Sequence, residues 1–301
     1  MSAARPLLAA LAALLLPAAV HAEDAPCPPF EVTGTGPDLV LVPGLGSSPE
    51  VWDGVKDSLA KDYRLHLVHV AGFAGRAPEG DPATLIERTK AEVIRHLDCQ
   101  KIERAAYAGH SMGGFMGLML AADHPDRVRK VVVVDSLPFF PLIFNPAATA
   151  ELAAPQAAAM RAQIAAQDDA GFAATQRIGV QSLVQSAEHQ AQVVDWSLTS
   201  DRATFAGAIH ALMTTDMRPR LGDITVPVTV LAAVNPYAPR ARVEPLYTAA
   251  YAGLDGVKLT VIDNSFHFIM FDQPAAFEAA LREGLGRRFV LDHDPGAIPL
   301  P

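Results

Sequence analysis

Apolar runs recur along the chain at 38 to 43 (DLVLVP), 63 to 70 (YRLHLVHV), 103 to 109 (ERAAYAG), 130 to 135 (KVVVVD), 226 to 234 (VPVTVLAAV) and 257 to 263 (VKLTVID). They are near-continuous in Val, Leu, Ile and Ala instead of alternating with polar residues. Strands covered on both faces have this pattern, so the runs predict a mostly parallel sheet. Two intervening stretches carry a helical period. Residues 82 to 97 place Leu85, Ile86, Thr89, Val93 and Leu97 on one face, and residues 274 to 285 do the same with Phe277, Leu281 and Leu285. Strands alternating with helices predict an α/β fold, doubly wound with right-handed crossovers.

The alternation stops between residues 138 and 220. There the chain is rich in Ala and Gln, and Met160, Ile164, Leu183, Val184, Trp196, Phe205, Ile209 and Met213 are spaced for amphipathic helices. An all-helical insertion between two strands is expected to cap the sheet's C-terminal edge. The chain thus divides into a core of residues 23 to 137 and 221 to 288, a cap of residues 138 to 220, and a tail of residues 289 to 301.

Residues 1 to 22 differ from the rest. A single Arg5, an unbroken Leu/Ala stretch from Leu7 to Leu16, Pro17, and the small residues Val20 and Ala22 form a secretory signal peptide, with cleavage expected after Ala22. The apolar stretch is shorter than the roughly 20 residues that span a bilayer, so no stable membrane insertion is expected after cleavage. Export places the protein in the periplasm or outside the cell. In such a compartment the two cysteines, Cys27 and Cys99, are expected to pair. The net charge is −9 and the Lys and Arg residues are scattered singly, which argues against nucleic acid as a partner. His66 and His69 lie three apart in a strand and face opposite sides, so no metal-ligand spacing emerges and no cofactor is expected.

The candidate chemistry begins where the run ending at Ala108 meets Gly109-His110-Ser111-Met112-Gly113-Gly114 and a helix follows. G-x-S-x-G between strand and helix is a nucleophile elbow, a sharp turn that presents Ser111 at a helix N-terminus. A serine needs a base to take its proton. His267 follows the last predicted strand through a short loop and precedes the last predicted helix, which brings it to the same sheet edge as Ser111. Donors for a developing oxyanion are expected from the backbone N–H of Met112 and of Leu45, in the loop Pro43-Gly44-Leu45-Gly46.

GHSMGG, the loop PGLGSSPEVW with Trp52, and HFIMFDQPAAF after the last strand together resemble the α/β-hydrolase fold superfamily, in particular its esterases and lactonases with a helical cap. The resemblance covers essentially all of the chain after the leader. It departs at two places. Pro43-Gly44 stands where the family usually has His-Gly, and Asn235 stands after the seventh strand of the family's sheet, where the acid of the triad commonly lies. An amide there would leave the imidazolium without its counter-charge, at a cost of about 10⁴ in rate.

Asp135, at the end of KVVVVD, is the best-placed alternative. It leaves a strand neighbouring that of Ser111, and adjacent strands lie about 4.8 Å apart. Some branches of the superfamily place the acid there. Asp135 could instead cap the turn Ser136-Leu137-Pro138, and Asp263 is the runner-up. Beyond Asp135, the run from Leu137 to Phe144 offers Phe139, Phe140 and Phe144 as an apolar lining for a substrate pocket, or as packing for the cap.

The sequence therefore points to a Ser111–His267–Asp135 hydrolase acting on a hydrophobic small-molecule ester or lactone. An amidase, peptidase or carbon–carbon hydrolase could run on the same residues. In a non-catalytic member of the fold that binds a hydrophobic ligand, Asn235 would mark lost activity.

Overall fold

A computed structural model describes residues 26 to 286. The leader and the tail lie outside the described residues, and so does the expected cleavage point. In chain order the elements are β1 (Glu31–Thr33), β2 (Asp38–Val42), α1 (Asp53–Leu59), β3 (Arg64–Leu67), α2 (Leu85–Cys99), β4 (Ala105–His110), α3 (Met112–Asp123) and β5 (Val128–Val134). The helices α4 (Ala150–Ala166), α5 (Asp169–Val180), α6 (Ala187–Leu198) and α7 (Arg202–Thr214) come next. The chain then returns to β6 (Val228–Ala233), α8 (Arg240–Ala250), β7 (Lys258–Ile262), α9 (Ile269–Asp272) and α10 (Pro274–Leu285).

The strands form one sheet of order β1-β3-β2-β4-β5-β6-β7. β1 pairs antiparallel with β3, and every other pairing is parallel. The central strands β4 and β6 are buried along their whole length, as their unbroken apolar runs require. One core lies beneath α2, α3 and α8 and contains Leu97, Phe115, Met116 and Tyr247. The other lies beneath α1 and α10, where Trp52 packs on Phe277 with ring centroids 6.2 Å apart.

Register aligns the C-terminal ends. Val42 faces Gly109, His110 faces Val134, Val134 faces Leu231, and Ala233 faces Ile262. The loops that leave these ends carry Pro43, Ser111, Asp135, Asn235 and His267, so the parallel sheet gathers them along one edge.

Helices α4 to α7 lie between β5 and β6, and each begins at a side chain that accepts a backbone N–H. Thr149 receives Leu152, Asp168 receives Gly171, Ser186 receives His189, and Asp201 receives Thr204. The cap meets the body at particular points. Trp196 Nε1 donates to Glu50 at 3.3 Å, the Ser200 hydroxyl accepts from Ala74 N, and Phe205 lies so close to Gly46 that a Cβ there would be 2.7 Å from its ring. Cys27 and Cys99 are disulfide-bonded, with their Cα atoms 5.9 Å apart, which ties the segment before β1 to the end of α2. No helix among the described residues is long and apolar enough to cross a membrane.

Candidate active site

Ser111 occupies the turn between β4 and α3 with φ 53° and ψ −118°, a conformation that is costly for a residue with a Cβ. Its N–H donates to Val134 O at 2.8 Å and its carbonyl accepts from Phe115 N at 3.0 Å, so both neighbouring elements hold the strained turn. The flanking glycines allow the approach. A Cβ on Gly109 would lie 2.2 Å from Gly113 O, and one on Gly113 would lie 2.3 Å from Val42 O. The Pro43-Gly44-Leu45-Gly46 loop touches the elbow directly, because a Cβ on Gly44 would sit 3.2 Å from Ser111 Cβ. Met112 is the first residue of α3, where backbone N–H groups have no acceptor within the helix. The two expected oxyanion donors thus belong to segments that meet at Ser111.

His267 lies on the loop between β7 and α9. Its Nδ1 and Asp135 Oδ2 are 2.7 Å apart. An imidazole that donates from Nδ1 to a carboxylate leaves Nε2 as the nitrogen able to accept a proton. Asp135 has φ 47°, its N–H donates to Leu231 O at 2.7 Å, and its Oδ1 accepts from Ala233 N at 2.9 Å. Tyr247 from α8 donates to the same Oδ1 at 3.0 Å. The carboxylate therefore reaches across β6 toward the imidazole.

Asn235 is occupied differently. Its Oδ1 accepts from Tyr237 N at 2.9 Å and Ala238 N at 3.0 Å, closing the loop after β6, while its Nδ2 donates to Ser265 O at 3.3 Å. Asp263 forms an exposed ion pair with Arg240 at 2.7 Å.

The aromatic run divides. Phe139 has 0 % exposure and packs into the core with Arg218 stacked 5.0 Å from its ring centroid, so it offers no surface to a ligand. Phe139 immediately precedes the single helical turn Phe140–Ile143 and faces the core on the α3 side of the sheet. Phe140 is half-buried and Phe144 is exposed, the two rings meeting edge to face at 5.5 Å.

Two residues at the site were not singled out from the sequence. His110 is fully buried, and its Nε2 lies 3.1 Å from the carbonyl of His267. A carbonyl can only accept, so Nε2 carries the proton. The His110 ring packs 4.5 Å from that of His267, and burial, with the nearby His267, holds it neutral well below the usual histidine range. Its place inside the elbow was the available signal. Tyr247 had none, because its contact joins positions far apart in sequence. Burial, and then the charge of Asp135, push the Tyr247 phenol well above its ordinary range, so it remains a donor. Among the described residues no group of three or more His, Cys, Asp or Glu is arranged to hold a metal ion.

Residues 37 to 274 match the family model for the α/β-hydrolase fold. The chain is 31% identical over 256 residues to a pimeloyl-acyl-carrier-protein methyl ester esterase of Edwardsiella ictaluri, covering 82% of this chain and 92% of the relative. It is 30% identical over 251 residues to the enzyme of that name from Yersinia enterocolitica, covering 82% and 93%. Among solved structures, a hydrolase from Pseudomonas aeruginosa superposes with a TM-score of 0.73 at 21% identity, over 86% of this chain and 94% of that one. The enol-lactonase from Burkholderia xenovorans superposes with a TM-score of 0.70 at 22% identity, over 86% and 96%. These two establish likeness of fold, and the family match spans most of the sequence. The chain belongs to the α/β-hydrolase fold family of enzymes.

Proposed function

We propose that this protein is an exported serine hydrolase that cleaves carboxylic esters or lactones through an acyl-enzyme. The observation that carries the reading is the bond between His267 Nδ1 and Asp135 Oδ2 at 2.7 Å, made at the sheet edge that also presents Ser111 in a strained strand-to-helix turn. Ser111 Oγ attacks the carbonyl carbon as its proton passes to His267 Nε2, and Asp135 stabilises the imidazolium that forms. The N–H groups of Leu45 and Met112 receive the oxyanion. Collapse expels the alcohol, which takes the proton from His267 and leaves an ester on Ser111. Water then surrenders a proton to His267 and attacks the acyl carbon. Ser111 departs with that proton, and the carboxylic acid is released.

Two curated relatives are named for hydrolysing a methyl ester of an acyl chain carried on a protein, and one structural neighbour for opening a lactone. From these we take the bond cleaved, not the carrier. Phe140 and Phe144, at the entry to the cap, suit a hydrophobic acyl or alcohol group. The Leu7 to Leu16 stretch followed by small residues supports export, and a Cys27–Cys99 bond is what an oxidising compartment sustains.

The test is a panel of p-nitrophenyl esters of graded acyl length, simple methyl esters, acyl lactones and acyl p-nitroanilides. The expected result is turnover of esters or lactones that Ser111→Ala abolishes. Faster cleavage of the anilides would favour an amidase, and no turnover of any substrate would favour a non-catalytic binding protein. N-terminal sequencing of protein from the periplasmic fraction is expected to begin at Glu23. A chain still starting at its leader would contradict export.

A further inference from the structure

Asp135 serves a histidine two strands away, and something must fix which of its oxygens points at the imidazole. The serving oxygen is Oδ2, 2.7 Å from His267 Nδ1. The other, Oδ1, accepts from Ala233 N at 2.9 Å and from the Tyr247 hydroxyl at 3.0 Å. Tyr247 is buried, and one helical turn later the hydroxyl of Tyr251 donates to Ser136 O at 2.7 Å. The two rings stack with centroids 6.4 Å apart and planes 14° apart. Tyr251 is the C-cap residue of α8 and its N–H donates to Tyr247 O at 3.0 Å, so the last turn presents two phenols side by side. One grips the side chain of Asp135, whose φ of 47° is not held by local preference, and the other grips the carbonyl of Ser136 just after it.

We propose that Tyr247 is a positioning residue of the reaction, holding Asp135 Oδ1 so that Oδ2 remains aimed at His267. The inference rests on the triad reading above. Tyr247 is buried and bonds the oxygen of Asp135 that is turned from His267, so it would act through Asp135 on kcat and leave KM nearly in place. Two rings pack against that of His267: His110, which is neutral, and Phe268, which is apolar.

The experiment compares the wild type with Tyr247→Phe and Tyr251→Phe. The Nδ1–H proton resonance of His267 is followed by NMR of labelled imidazole, and circular dichroism confirms the fold. Phe keeps the ring and its packing. In Tyr247→Phe the resonance is expected to shift upfield as the carboxylate swings away and the hydrogen bond from Nδ1 loosens. Tyr251→Phe, a matched loss of one buried hydroxyl, should leave the resonance in place, since it removes no bond to the carboxylate. An unmoved resonance in folded Tyr247→Phe, or equal shifts in both variants, would overturn the proposal. Because the readout needs no turnover, it stands apart from the triad reading itself, whose failure would appear as a wild type that a fluorophosphonate does not modify at Ser111.

Discussion

At the scale of single residues, the proposed chemistry turns on which side chain can be the counter-charge of His267. An amide at position 235 looked like damage, but Asn235 closes its own loop and Asp135 meets the imidazole. Asp135→Asn is therefore expected to lower kcat by about 10³ to 10⁴ on a chromogenic ester, as loss of the acid does in serine-protease triads. Asn235→Ala removes two turn-closing acceptor contacts and should cost about 1 kcal/mol of stability, with a change in kcat below about tenfold. Urea denaturation read beside steady-state kinetics separates the two effects. Ser111 and His267 were legible because a motif and a chain order single them out. Asp135 needed the strand count as well, and Tyr247 was illegible because no local pattern links α8 to the end of β5. Phe139 illustrates the opposite limit, since an apolar run does not say which of its rings turns inward.

At the scale of elements, strands covered on both faces announced themselves by continuous Val and Leu, and their observed spans fall within the expected runs or shift by one or two residues. The short, polar β1 had no such signal, because an antiparallel edge strand can keep its side chains in water. Neither α1 nor α8 was assigned; α8 contains Pro245 and starts with arginines, which blur its period. The elbow depends on how closely elements approach. In Gly113→Ala the new Cβ would lie 2.3 Å from Val42 O and 2.7 Å from Pro43 O, both backbone atoms. α3 must then move away from β2, and the loop that carries Leu45 moves with it. The expected outcome is a loss of about 1–3 kcal/mol together with a fall in kcat. Denaturation with no change in midpoint would show that the approach is looser than this geometry implies.

At the scale of the whole molecule, two features set stability away from the site. The disulfide joins residues 72 apart in sequence, and in the chain-entropy view such a cross-link contributes about 4 kcal/mol by restricting the unfolded chain. Cys27→Ser with Cys99→Ser should lower Tm markedly while leaving kcat at 25 °C nearly intact. Near the bond lies a buried chain of polar groups. His66 Nε2 is 2.8 Å from Asp38, His66 Nδ1 is 2.9 Å from His96 Nε2, and Phe30 stacks on His96 at 4.3 Å. Burial opposes ionisation of Asp38, but hydrogen bonds from His66 and Arg64 outweigh it and hold the carboxyl below its ordinary range. Burial, then the neighbouring His66, push His96 down to about 4 from 6.5. Between those values the unfolded chain binds a proton at His96 that the native state does not. Stability therefore rises with pH across that window and is lost as pH falls through it. Melts between pH 7 and pH 4 should show Tm falling with acid, and His96→Gln should flatten the slope; an unchanged slope would remove His96 from the account.

The central claim is that Asp135 completes a working triad in a chain with Asn235 at the usual acid position. The rate at which a fluorophosphonate modifies the protein, followed by intact mass and located by peptide mapping, tests it most directly. The wild type and Asn235→Ala are expected to label at Ser111 at similar rates near neutral pH, with Asp135→Asn slower by about 10² or more. A wild type that fails to label, or an Asp135→Asn variant that labels as fast as the wild type, would contradict it.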